Sequence, residues 1–293
     1  MKLRIIYFRQ VLLTALIVIY FQQEVFSQEA DSSAFKQTGM FIGLSLEPSQ
    51  SQIVNVGTMA VSNLIYGKKN SFLGSVEFGY FFSKYFGLSS GIGFNSYSTQ
   101  LTLDTYQNKY NALDSENESY ERRVLVSGIK EEQKIGFLSV SVCINIRLPF
   151  SKTFGFFLQP GITLLAPLSK NYQSSGTFTY KGYYSAYNVL LEDLPEYGFP
   201  SNLSSEFDGK LELKPLNFNA FVSAGFDFSI QEKIQIAIAA CYDKSLSGIS
   251  KYSSPGNFQL SSDVNQINSL MGGSSKATVQ SMGLKITLRY YMK

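Results

Sequence analysis

The chain has 293 residues, a formal net charge of +3, no histidine or tryptophan, and only 16% charged against 15% aromatic residues. Average globular chains carry about 25% charged residues. Near-neutrality and the lack of a basic run exclude electrostatic nucleic-acid binding. The missing histidines remove the usual activator of a nucleophile and the commonest nitrogen ligand of a metal, so neither an enzyme nor a cofactor is expected.

Lys2, Arg4 and Arg9 precede an apolar run from Val11 to Phe21, and Val25 and Ser27 stand where small residues are wanted before a cut. This is the pattern of a secretory signal peptide over residues 1–27, cleaved between Ser27 and Gln28. The apolar run falls short of the about 20 residues that a spanning helix needs. Residues 28–36 then read as a short periplasmic segment, and 37–293 as one domain.

From Gln37 the chain alternates strand, long polar stretch, strand and tight turn. The first strand reads as Gln37–Pro48, with Met40, Ile42, Leu44 and Leu46 on one face. The second is Ser71–Phe82, and Ser83-Lys84-Tyr85 turns into a third at Phe86–Leu103. An acidic loop over Asp104–Gln133 leads to Lys134–Leu148, where Leu138, Val140, Val142, Ile144, Ile146 and Leu148 alternate with Ser139, Ser141, Cys143, Asn145 and Arg147. Phe154–Leu168 follows, then the longest loop, Ser169–Lys214. Pro215–Ile230, a turn at Gln231-Glu232-Lys233, Ile234–Ser245, a loop to Lys276 and a last strand at Ser281–Lys293 complete the series.

Side chains alternate faces along a strand, so each segment has one apolar and one polar face. The polar faces, such as Gly87, Ser89, Gly91, Gly93 and Asn95, are too small and hydrophilic to form a lipid-binding cavity. The apolar faces therefore belong outside, against hydrocarbon, where bare strand edges are forbidden and the sheet must close. The expected fold is an all-β, membrane-spanning, up-and-down antiparallel β-barrel of about eight strands. It has short periplasmic turns and long extracellular loops, and it is bathed in outer-membrane lipid. A soluble β-sandwich is the competing fold, but it would have to cover every apolar face with a second sheet.

The inward positions hold Glu77, Arg147, Asp227, Asp243, Lys285 and Arg289. In a narrow barrel side chains fill the lumen, so these charges are expected to pair into a plug, Glu77 with Arg289 and Asp227 with Arg147. A narrow pore for small solutes is the alternative. Cys143 and Cys241 lie on inward positions without metal-binding spacing, as small fillers or a disulfide. Gly91-Ile92-Gly93 sits inside a strand and is no nucleotide loop. Asp114, Glu116 and Glu118 lack the glycine and terminal glutamate of a calcium loop. The Ser169–Lys214 loop is crowded with aromatics, among them Tyr180, Tyr183, Tyr184, Tyr187, Tyr197 and Phe199. They suit either a protein partner or a lid packed on itself. A strand extension is expected at Thr177–Tyr184 and a short helix at Tyr187–Leu194.

The run Gly79–Phe94, G-Y-F-F-S-K-Y-F-G-L-S-S-G-I-G-F, resembles the strand–turn–strand unit of a bacterial outer-membrane β-barrel family, the porin-like or PorT-like proteins. Gly225–Ile238 and the final strand share the resemblance, which spans about Gln37 to Lys293. It implies an outer-membrane location and handling by the barrel-assembly machinery during biogenesis. Lys293 stands where many such proteins end in an aromatic. Some members of that family assist secretion of surface proteins, and no residue here carries that role over.

Overall fold

The computed structural model describes residues 38–59, 61, 63–230, 233–252, 258–261 and 263–292. The signal peptide, its cleavage site Ser27–Gln28 and the segment 28–36 lie outside the described residues, as do Gln231, Glu232 and Lys293.

Ten strands form one antiparallel sheet: β1 (Gly39–Met59), β2 (Ile65–Phe81), β3 (Phe86–Leu113), β4 (Ser119–Pro149), β5 (Phe154–Tyr184), β6 (Val189–Leu191), β7 (Leu203–Lys210), β8 (Asn217–Ser229), β9 (Ile234–Ser245) and β10 (Ser274–Tyr291). Eight of them close a ring in the order β1-β2-β3-β4-β5-β8-β9-β10, and β6 and β7 pair with the upper part of β5. The closing seam joins β1 to β10 over a long register, from Phe41 opposite Tyr291 to Met59 opposite Ser274. Closure leaves no backbone edge at the level where water is absent.

Two of the tight turns repeat one sequence device. In Phe82-Ser83-Lys84-Tyr85-Phe86 the Ser83 hydroxyl accepts from the Tyr85 and Phe86 amides, at 3.2 and 3.1 Å. In Phe150-Ser151-Lys152-Thr153-Phe154 the Ser151 hydroxyl accepts from Thr153 and Phe154, at 3.3 and 3.1 Å. The serine satisfies amides that a reversing chain would leave bare, and the two phenylalanines face outward. With Tyr80, Phe226 and Phe228 they form an aromatic band at this end. Phe154 lies 5.4 Å from Phe226 and 5.1 Å from Phe228, and Tyr80 lies 5.4 Å from Phe82.

Near the turns the outer wall is apolar. Ile92 is 58% exposed, Val142 59% and Leu284 59%, and Phe78, Leu44, Ile162 and Ile238 are likewise uncovered. The inner wall at this height is buried and polar, with Ser45, Glu77, Ser89, Asn145, Arg147, Asp227 and Arg289. That is the polarity of a barrel in lipid.

The other end departs from the sequence reading. The stretches taken as long loops are mostly strand. β3 and β4 keep a single register from Leu103 opposite Ile129 to Leu113 opposite Ser119, interrupted only at Asp104 and Gly128, so the loop expected over Asp104–Gln133 shrinks to a turn at residues 114–118. β1 continues to Met59 and β10 begins at Ser274. β5 runs on to Tyr184 and takes up β7 beside Asn171–Phe178, so the Ser169–Lys214 loop is largely sheet. The expected helix at Tyr187–Leu194 is instead the short strand β6 and a 3₁₀ turn at Pro195–Tyr197. The expected extension at Thr177–Tyr184 is the end of β5.

These upper walls persist because their alternation has changed phase. On β4, Ile129, Ile135 and Phe137 point inward and are fully buried, while Lys130, Glu132 and Lys134 point outward. Inside sits an apolar core with Ile53, Tyr97, Ile135, Phe137, Leu165 and Val279. Above it lies a second core built on Leu101, Val124, Ile129, Phe178, Tyr180 and Leu270.

Candidate functional site

The lumen is filled in layers, each set by the inward phase of several strands. Nearest the turns, Phe41, Phe81 and Tyr291 meet with ring centroids 5.6–6.3 Å apart. Gly79 permits this layer, because a Cβ there would come within 2.3 Å of the Phe41 ring.

Next comes an ionic layer. Arg147 on β4 donates Nε to both carboxylate oxygens of Asp227 on β8, at 2.9 and 2.8 Å. Arg289 on β10 donates Nε to Glu77 on β2 at 3.2 Å, and its remaining nitrogens reach Gln235 and Asn145 at 3.4 Å. Its guanidinium also lies over the Phe41 and Phe157 rings, 5.1 and 5.6 Å from their centroids. Gln159 donates to Glu77 and to Asn145, at 3.3 and 3.0 Å, and accepts from the Lys285 ammonium at 2.9 Å. Gly43 leaves room for this layer, since a Cβ there would sit 2.7 Å from the Glu77 side chain. Charged groups so deeply buried are tolerable only when paired and hydrogen-bonded, and both pairs here are.

Above this layer is a polar chamber of about 70 Å³ lined by Ser45, Glu47, Ser223, Cys241, Asp243 and Lys285, among others. Asp243 meets no cation at ion-pair distance among the described residues. It accepts instead from Tyr97 Oη at 2.7 Å, Asn219 Nδ2 at 2.8 Å and the Ser281 hydroxyl. Of the six inward charges read from the sequence, four form the two pairs, Lys285 joins them through Gln159, and Asp243 stands in a different layer. Glu47 was passed over although the signal was present. Met40, Ile42, Leu44 and Leu46 fix the outward phase of β1, and Glu47 lies on the opposite phase. Cys143 and Cys241 are free thiols, within 3.0 Å of Ser89 Oγ and 3.1 Å of Ser223 Oγ respectively.

The tall end is closed by the segment that precedes β10. Its Ile267, Leu270 and Met271 are buried in the mouth. The fully buried carboxylate of Glu131 on β4 holds it there. Glu131 accepts from Ser269 Oγ at 2.6 Å and the Leu270 amide at 2.8 Å, and from Gln133 and Ser174 on the wall at 2.6 and 2.7 Å. Burial pushes the Glu131 carboxyl above the usual carboxylate range, and the four hydrogen bonds offset only part of that rise. Tyr172 Oη reaches the Ile267 carbonyl at 2.8 Å and Tyr180 Oη lies 2.7 Å from Ser261 Oγ, so the wall grips the segment along its length.

The six aromatics singled out in the sequence divide by burial. Tyr180 and Phe199 are buried, and their assignment to a partner-facing surface is corrected: Tyr180 belongs to the upper core and Phe199 packs edge-on against Tyr120 at 5.7 Å. Phase explains Tyr180, which follows Phe178 on the inward face of β5, whereas Phe199 fills the space that Gly182 leaves, where a Cβ would come 2.5 Å from its ring. Tyr184 stacks on Tyr120 at 5.2 Å and donates to Asp114 at 3.0 Å. Its hydroxyl is pushed up to about 12 by burial and by that carboxylate, so it stays a donor. Tyr183 carries the Arg123 guanidinium 4.7 Å above its ring. Tyr187 and Tyr197 are 62% and 70% exposed, and with Leu113, Val189 and Leu190 they leave apolar surface at the tip of the wall. Asp114 builds that tip: its Oδ1 accepts from the Glu116 and Glu118 amides at 2.9 Å each. The acidic run is thus a turn.

Comparison with solved structures gives low-identity matches to bacterial barrels. Neisserial surface protein A is 10% identical with a TM-score of 0.36, and the alignment covers 87% of this chain and 98% of that one. OprG from Pseudomonas aeruginosa is 12% identical with a TM-score of 0.36, covering 87% and 96%. Ail, the attachment invasion locus protein of Yersinia pestis, in complex with the heparin analogue sucrose octasulfate, is 11% identical with a TM-score of 0.30, covering 86% and 99%. No curated protein matches the chain. The family model described as outer membrane protein beta-barrel domain matches residues 26–251, well over half of the sequence. The chain therefore belongs to that family, and its place is the bacterial outer membrane.

Proposed function

We propose that this protein is a plugged outer-membrane barrel that works through the tip of its tall wall as an interaction protein, binding a protein partner or helping to assemble an envelope complex. The tall end faces outward from the cell and the tight turns face the periplasm. Both follow from export by a cleaved signal peptide and insertion by barrel-assembly machinery. The observation that carries the reading is the exposed apolar tip, where Tyr187, Tyr197, Val189 and Leu190 stand in water on a rigid support of paired strands. Solvent-exposed tyrosines on a pre-ordered scaffold contribute contact area at low entropic cost. The experiment is chemical cross-linking on intact cells with wild-type protein and a Tyr187→Ser/Val189→Ser/Tyr197→Ser variant. A discrete cross-linked species that the variant loses, while folding unchanged, supports the reading. An identical pattern from both proteins overturns it.

The pore reading has one observation against it. Two ion pairs, an aromatic layer and two apolar cores occupy the axis, and a barrel of eight strands leaves space for little else. Reproducible unitary currents from purified protein in a planar bilayer would favour the pore instead.

A further inference from the structure

The outward face of the wall changes from apolar to polar at one height, and what stands there is basic. Beyond the apolar belt the first outward charge is Lys69 on β2, Lys134 on β4 and Lys244 on β9, and Lys214 holds the same place in the segment entering β8. Carboxylates come higher: Glu132 lies two residues beyond Lys134, and Asp104 further up β3.

On one side this basic level is also concave. The β2–β3 ladder shifts register between Lys68, opposite Thr99, and Phe72, opposite Ser96. In a regular strand Lys68 and Lys69 would point to opposite faces. The bulge turns both toward the same trough, which also takes in Lys134 from β4, Ser96 from β3 and Phe72 at the lower lip. The one carboxylate on the trough, Glu132, pairs with Lys69 at 3.2 Å, with the two side chains 51% and 36% exposed, and pairs so open to solvent are weak. Lys68 and Lys134 are exposed and meet no carboxylate at ion-pair distance among the described residues. Directly below, Phe72, Phe94 and Leu138 face outward from the same three strands.

We infer that this trough is a binding site for the phosphate-bearing headgroup of a membrane lipid, whose acyl chains lie along Phe72, Phe94 and Leu138. The stacking of the parts carries the assignment. A free anion or a soluble polyanion has no use for an apolar track beneath the lysines. A lipid with a charged head requires both, at the height where hydrocarbon ends. The proposal is independent of whatever binds the tip.

The test is native mass spectrometry of the full chain in detergent, titrated with dilauroyl phosphatidic acid. Dilauroyl glycerol and inorganic phosphate serve as the two separating probes. Wild-type protein should retain phosphatidic acid and not the uncharged glycerol, and excess inorganic phosphate should fail to displace it. Lys68→Gln/Lys69→Gln/Lys134→Gln should weaken retention by roughly a hundredfold, from the loss of three surface cations that each contribute about a factor of five. Lys244→Gln/Lys276→Gln, on other walls, should leave it unchanged. All five side chains are on the surface, and heat-modifiable gel migration checks that each variant is folded. The inference is overturned if the trough variant retains the lipid as wild type does, or if both variants lose it equally. It also falls if the uncharged lipid binds as well or if inorganic phosphate displaces the adduct.

Discussion

Two halves of the same strands can be set against each other. In the half near the tight turns, β4 sends Leu138, Val140, Val142 and Ile144 outward and Ser139, Ser141, Asn145 and Arg147 inward. In the half beyond, the same strand sends Lys130, Glu132 and Lys134 outward and Ile129, Ile135 and Phe137 inward. The backbone, its pairing with β3 and its period of two continue through both. Only the solvent changes. Where hydrocarbon surrounds the wall, polar groups must be buried and paired inside. Where water surrounds it, the ordinary rule returns and apolar groups gather at the axis. The switch is written as two adjacent apolar residues, Phe137 inward and Leu138 outward.

The comparison implies that the two interiors fail in different ways. The largest effect is expected in the ionic layer. Removing one partner of a buried pair leaves an uncompensated charge, so Asp227→Ala should destabilise the barrel by about 3–5 kcal/mol. The double variant Arg147→Met/Asp227→Leu, which removes both charges, should recover most of that loss. Urea unfolding in lipid vesicles, followed by tyrosine fluorescence, measures both. A double variant no more stable than the single one would mean that the pair is held by something other than charge.

This contrast also explains what the sequence disclosed. The belt ends of the strands were legible to within a residue or so, because Phe82–Phe86 and Phe150–Phe154 punctuate strong alternation. Ile234–Ser245 was read with the bounds of β9 itself. The two ion pairs followed from inward phase and similar height above the turns. The upper walls were illegible as strands because their outward residues are polar or charged, so K-E-E-Q-K on β4 reads as solvated loop once a lipid-facing phase is assumed. The same assumption put Tyr180 and Phe199 on the surface, although Tyr180 shares its phase with Phe178. Glu131 looked like one acid among several in that run. Only the arrival of Ser269 and Leu270, far along the chain, makes it a latch.

The smaller effect sharpens the comparison at that latch. Burial raises the Glu131 carboxyl above its unfolded value of about 4.3. The folded state therefore binds this proton more tightly than the unfolded chain. The stability it contributes is fully present below that unfolded value and is lost as pH rises through the elevated folded value. Hydrogen exchange of the Leu270 and Met271 amides, corrected for intrinsic rates, should show weaker protection at alkaline than at mildly acidic pH. In Glu131→Gln, protection should be flat with pH. Equal pH dependence in wild type and variant would remove Glu131 from the account.

The central claim is the reversal of outside and inside at one height on continuous strands. It is tested most directly by a ladder of single spin labels on the outward face of β4, at Ile144, Val140, Lys134 and Lys130, with Cys143 and Cys241 replaced by serine. Collision with oxygen reports hydrocarbon, and collision with a water-soluble nickel chelate reports water. The account predicts oxygen-dominated labels at 144 and 140 and chelate-dominated labels at 134 and 130, with a single crossover between 140 and 134. Labels that are uniformly wet, or uniformly buried in hydrocarbon, would contradict it.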